Sequence, residues 1–218
     1  MTVGRNGHGM GSALYAYGVL EQEDIEFETD GIDGAERAYT VDYRTLSALV
    51  SEVDTVEPGM SDENARAHSE VLKQLLQYDG GRTVVPMQYG MAFKNERTLK
   101  RVLRESRPAF RRALREVEGK VELGLKVLSE ADATGDGDAV RAAVDERFGE
   151  LAIGVSEDDR FSDRLLVNRS FLVDRDDRDA FDDAVGEFED DHGELTVQYT
   201  GPWAPYHFVD IDIGARRA

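Results

Sequence analysis

Two spacings of apolar residues take turns along the chain. Runs at residues 13–20, 39–43, 46–53 and 83–87 predict strands: the first is rich in aromatic and apolar residues, the third alternates in part, and the last is a short apolar run. Met91-Ala92-Phe93 extends or turns the last of these. Between the third and fourth runs, Pro58-Gly59 marks a turn and Ser61 can cap a helix over about 61–78. Ala67, Val71, Leu75 and Tyr78 form that helix's apolar stripe, and Asp79-Gly80-Gly81 closes it. The next helix covers 96–118. At about 100° per residue, Leu99, Val102, Leu103, Phe110, Ala113, Leu114 and Val117 share one arc. Arg97, Arg101, Arg104, Arg111 and Arg115 occupy the other. Pro108 removes a backbone donor inside this helix and predicts a kink or break near Ser106.

The second half repeats the mixture. It reads as a strand at 121–128, a helix at 139–148 aligned by Val140, Val144 and Phe148, and a strand at 165–173. An acidic helix at 176–190 turns Phe181, Val185 and Phe188 inward, and a strand at 195–199 follows. Gly201-Pro202-Trp203-Ala204-Pro205-Tyr206-His207-Phe208 is a rigid aromatic turn, and 209–213 an extended tail. Residues 21–34 form an acidic loop, 129–138 another loop, and 149–160 show no clear period. The fold class is α+β: two small domains with ferredoxin-like character, mixed or antiparallel sheets, and helices on one face. The expected division is a disordered tail at 1–12, an N-terminal domain at 13–118 and a C-terminal domain at 119–218.

Composition narrows the class. The 218 residues are 40% hydrophobic, enough for a core, with no run that spans a bilayer and no secretory segment. Without cysteine there is no disulfide and no thiolate chemistry, and a cytoplasmic protein is expected. Asp and Glu total 45 against 26 Lys and Arg, a net charge of −19 that disfavours nucleic acid over most of the surface. Only 5 of the basic residues are lysine, which suggests adaptation to very high salt. There the Debye length is about 3 Å and self-repulsion is screened.

Catalytic signals are sparse. His8, His68, His192 and His207 are not at ligand spacing, and His68 reads as a helix-surface or boundary residue. Asp132–Asp138 resembles a calcium loop, but its twelfth position is Ala143 where a glutamate is needed. Asp210 and Asp212 share a strand face, a pairing common by chance in so acidic a chain. The Gly7-His8-Gly9-Met10-Gly11 run precedes a strand instead of following one, so it is no dinucleotide loop. No nucleophile motif or phosphate loop is present. No catalytic, metal or cofactor residue is therefore assigned.

Two features carry weight. From Lys94 to Arg115 nine basic residues face two acidic ones, against the sign of the whole chain. This face is either solvated and ion-paired internally or a docking surface for an acidic protein, with nucleic acid a poorer third reading. The turn bearing Pro202, Trp203, Tyr206 and Phe208 either packs back on the first domain or anchors a partner.

Four segments resemble the gas vesicle protein F/L family: Leu14-Tyr15-Ala16-Tyr17-Gly18-Val19, Val85-Pro86-Met87-Gln88-Tyr89-Gly90-Met91-Ala92-Phe93, Gly119 to Val127, and Gly201 to Phe208. They lie in family order along nearly the whole chain, with Pro86 and Gly90 as structural motif positions. Members often carry arginine and phenylalanine where this chain has Gln88 and Tyr89. Length and lysine-poor acidity look more like the haloarchaeal F branch than the L branch. The resemblance implies no catalysis and no cofactor. It implies a cytoplasmic accessory protein associated with gas vesicles and acting early in their assembly, in contact with the major shell protein GvpA and other accessory proteins, without nucleic acid or membrane. The competing class is a small-molecule-binding regulatory module built on ferredoxin-like sheets.

Overall fold

The computed structural model describes residues 13–129 and 137–211. The tail at 1–12, most of the Asp132–Asp138 loop and Asp212 lie outside the described residues. The chain divides into two compact units: the first takes the described residues up to Leu114 together with Ile211, and the second runs from Arg115 to Asp210.

The first unit is a sheet of β1 (Ala13–Glu21), β2 (Glu26–Glu28), β3 (Arg37–Tyr43), β4 (Leu46–Val53), β5 (Val85–Pro86) and β6 (Ala92–Phe93). Its order is β2-β3-β4-β1-β5, β6 also pairs with β1, and every pairing is antiparallel. Ala13 to Leu20 are all buried, so both faces of β1 are covered. β2 arises inside the expected acidic loop, where Phe27 alternates with two exposed glutamates. The strand expected at 83–87 shortens to Val85–Pro86, although Val84 and Met87 are buried beside it.

Helix α1 (Asp62–Gln77) starts where Ser61 Oγ accepts the Asn64 N–H at 3.1 Å. Its buried face is Asn64, His68, Val71, Leu72, Leu75 and Leu76, and Ala67 is only half-buried. His68 is therefore not a surface residue: it is 2% exposed. The expected basic helix is two helices, α2 (Glu96–Glu105) and α3 (Arg107–Glu116), broken at Ser106. The break places Pro108 in the first turn of α3, where its missing N–H is tolerated. Asn95 and Thr98 cap α2 reciprocally.

The second unit runs β7 (Lys120–Ser129), α4 (Gly137–Phe148), β8 (Gly154–Glu157), β9 (Leu165–Asp174), α5 (Arg178–Asp191) and β10 (Leu195–Trp203). This βαββαβ chain gives the antiparallel order β10-β7-β9-β8, the ferredoxin-like arrangement. Val144 and Phe148 of α4 and Phe181, Val185 and Phe188 of α5 join Leu123, Leu125, Val127 and Phe171 in one core. β8 emerges from the stretch without a clear period, and β10 runs through Gly201-Pro202 to Trp203, so the aromatic turn begins as a strand end.

Candidate functional site

The basic face comes first. Leu99, Leu103, Phe110, Ala113 and Leu114 are buried, which fixes the opposite sides of α2 and α3 toward solvent. Arg97, Arg101, Arg104, Arg111 and Arg115 are all exposed. Arg115 lies on α3 but is the first residue of the second unit. Lys100 pairs with Glu96 at 2.7 Å, and Arg104 reaches Glu105 at 3.6 Å between two largely exposed side chains. Among the described residues Arg97, Arg101, Arg111 and Arg115 have no ion pair with a carboxylate. Like charges one turn apart, as at 97/101 and 111/115, disfavour a helix by about 0.2–0.5 kcal/mol per pair. Arg115 lies in the last turn of α3, where a cation suits the helix dipole, but Arg97, Arg101 and Arg111 stand without such a role.

The Val85–Phe93 segment holds a polar cluster in the first unit. Gly90 has φ +90°, a backbone that side-chain-bearing residues rarely adopt, while space is open around it. This turn aims the Gly90 N–H at Tyr15 Oη (3.1 Å), and the same hydroxyl meets His68 Nδ1 at 2.8 Å. Pro86 sits opposite Gly18 on the two-residue strand β5 at the end of the sheet order, where its missing N–H costs no ladder bond. Burial pushes the Tyr15 hydroxyl's pKa up, and burial pushes His68 down to about 4, so its ring is neutral at pH 7. The sequence does hold a signal for this cluster: Asn64, His68, Leu72 and Leu76 recur every fourth residue and are all buried.

The aromatic turn closes on its own unit. Trp203 lies opposite Glu122 of β7, and Pro202 and Ala204 are buried. Glu122, only 4% exposed, accepts the His207 N–H at 3.0 Å and meets His207 Nδ1 at 2.5 Å. His207 Nε2 faces Asp158 at 3.1 Å, and Ser170 Oγ donates to Asp158 at 3.3 Å. The Phe208 ring lies against Gly154, and Tyr206 is half-buried. Glu122, Asp158 and Ser170 come from different strands or strand ends, so no spacing in the sequence announces the cluster.

Among the described residues no group of three or more His, Asp or Glu side chains is arranged to hold a metal ion. Nor is any helix long and apolar enough to cross a membrane.

The profile of the gas vesicle synthesis protein GvpL/GvpF family matches residues 13–136 and 129–210. Gas vesicle protein F of Haloferax mediterranei is 59% identical over 207 residues, 94% of this chain and 97% of that protein. Gas vesicle protein F1 of Halobacterium salinarum is 52% identical over 94% of this chain and 96% of its own length. The crystal structure of GvpF from Anabaena superposes with a TM-score of 0.82 at 21% identity, covering 92% of this chain and 97% of that one. That likeness speaks to the fold; the profile and the curated relatives speak to descent, and by them this chain belongs to the GvpL/GvpF family of gas vesicle synthesis proteins.

Proposed function

We propose that this chain is a non-enzymatic accessory or minor structural protein acting early in gas vesicle assembly. It binds the hydrophobic major shell protein GvpA and other accessory gas vesicle proteins, as a chaperone or a nucleation factor. A very apolar shell subunit needs its surfaces shielded before it polymerises, and a highly charged partner can supply that shielding. The observation that carries the reading is the row of exposed arginines on α2 and α3, most of them without an ion pair among the described residues. Such a row fits a partner that brings carboxylates.

The test is co-expression with the major shell protein and co-purification in molar salt, using the wild type and the double variant Arg104→Glu/Arg111→Glu. A soluble complex is expected for the wild type, weakened roughly tenfold or more by charge reversal, with unchanged far-ultraviolet circular dichroism. If the shell protein aggregates while this chain elutes free, direct chaperoning is wrong. Equal binding by the double variant removes the arginine face from the interface.

A further inference from the structure

The described sheet edges differ in character. β2, at the edge of the first sheet, exposes Glu26 and Glu28, and β10 exposes Thr196, Gln198 and Thr200. Charged or polar edges of this kind resist pairing with another chain. β8, the other edge of the second sheet, is different. Ile153 is 55% exposed and Val155 47%, and Phe161, just past the strand, is 75% exposed. These are three of the five large hydrophobic residues exposed among the described ones.

The two acidic residues at the end of this strand are already ion-paired with cations of the same unit. Glu157 Oε1 is held by Arg169 Nη2 at 3.1 Å, and Asp158 is held by His207 Nε2 at 3.1 Å. The strand is also fixed in place. Ile153 N–H donates to Leu172 O at 2.8 Å, Asp158 N–H to Asn168 O at 2.9 Å, and Asn168 Nδ2 to Asp159 O at 2.8 Å. Donors alternate along an antiparallel strand. Gly154 to Glu157 keep one register with β9 and the Asp158 bond continues it, so the N–H groups of Glu157 and Val155 point to the open side, while the Ile153 bond falls one residue off that register.

We propose that the free edge of β8 is a docking strand: it pairs with an extended segment of a partner protein in which apolar residues alternate with basic ones. Backbone pairing supplies the register, and the exposed Ile153 and Val155 supply apolar contact. The basic character follows from the rim. Glu150, Asp159 and Asp163 flank the strand along the chain and are exposed, with Arg160 as the basic exception between them. A second copy of this chain would set two such rims against each other, which like charges disfavour. The inference is independent of the arginine face and survives its failure.

The probe is a fluorescein-labelled, end-blocked peptide of about seven residues alternating valine and lysine, titrated with the full chain by fluorescence anisotropy at low and molar salt. Saturable binding is expected, weaker at high salt. Val155→Pro removes a donor that β9 does not use and should weaken binding at least roughly tenfold. The double variant Ile153→Ser/Val155→Ser should weaken it at both salts, and it decides the matter if the proline variant melts early. Equal affinity in all three proteins overturns the proposal. So does equal binding of a valine–glutamate peptide, which removes the basic partner. A dimer of the chain alone that Val155→Pro dissolves overturns it as well, because the edge is then filled by a second copy.

Discussion

With β2 set aside, β3, β4, β1 and β5 of the first unit lie in the order second, third, first, fourth; β8, β9, β7 and β10 of the second unit lie in the same order. The units differ in how they cross from their first strand to their second. In the second unit α4 makes the crossing and brings Val144 and Phe148 into the core. In the first unit the crossing is a loop carrying β2 and a short turn at Ile32–Gly34. A helix satisfies its own backbone donors, whereas a loop laid over a core presents donors that core side chains must meet. Tyr17 Oη accepts the Ile32 N–H at 3.2 Å and donates to Ser51 Oγ at 3.0 Å, while Tyr15 serves Gly90 and His68. The first core, otherwise aliphatic, holds a hydrogen-bonded cluster of tyrosine, serine and histidine. The second centres on a cluster of phenylalanines whose rings meet at a tilt.

The largest expected effect lies in the phenylalanine core. Phe181 is fully buried, with ring centroids 5.0 Å from Phe148 and 5.3 Å from Phe171. Phe181→Ala should lower stability by about 3–5 kcal/mol, the lost transfer energy plus a cavity that the rings of Phe148, Phe171 and Tyr199 cannot close. Denaturant titration gives the value; a loss under about 1 kcal/mol would mean that the cluster relaxes into the hole.

The polar core should be exposed by acid. His68 has a folded pKa lowered to about 4 from 6.5, with burial as the main cause. Above pH 6.5 the ring is neutral folded or unfolded and contributes no pH dependence. As pH falls below 6.5 the unfolded chain takes up the proton first, so stability is lost progressively until about pH 4, by about 3 kcal/mol in all. Carboxylates titrate in part of this window too, so the measurement is a difference. Denaturation of wild type and His68→Gln at pH 7 and pH 4.5 should show the steeper fall in the wild type. Parallel curves would place the acid sensitivity elsewhere.

Much of this comparison is legible in the sequence, and the reasons for the gaps are physical. β4 spans Leu46–Val53 as expected, because apolar and polar residues alternate in part along it and place Leu46, Ala48, Val50 and Val53 inside. Ser61 and Pro108 mark a helix start and a helix break through local stereochemistry alone. β2 and β8 have three and four residues on sheet edges, too short for a period to show. The inner face of α1 is rotated from the stripe of Ala67, Val71, Leu75 and Tyr78 because Asn64 and His68 occupy core positions. Their partners, Asp33 and Tyr15, are 31 and 53 residues away, and spacing along the chain holds no trace of such contacts. The arginine row of α2 and α3 is visible from periodicity, whereas the His207 cluster depends on strand pairing.

The smallest effects test whether the shared strand order also means shared tolerance. Gly18 on β1 lies opposite Pro86 of β5, and Gly124 on β7 lies opposite Thr200 of β10, so each glycine sits where the first strand meets the fourth. A methyl at Gly18 would come 2.6 Å from Val84 Cγ2, 3.0 Å from the Val85 carbonyl oxygen and 3.2 Å from Leu72 Cδ2. One of those is backbone, and Val84 and Leu72 are themselves buried, so little can yield. A methyl at Gly124 would meet Thr200 Oγ1 at 2.7 Å, with the next atom 4.0 Å away. Thr200 is exposed and its hydroxyl can rotate aside. Gly18→Ala should therefore cost about 1–3 kcal/mol. Gly124→Ala should stay within about 1 kcal/mol of wild type, because the lower entropy of the unfolded chain offsets the rotamer change. Thermal melts of the two variants side by side check the pair. Equal losses would show that the first unit's strand is no more tightly covered at this junction than the second's, despite the unbroken burial of β1.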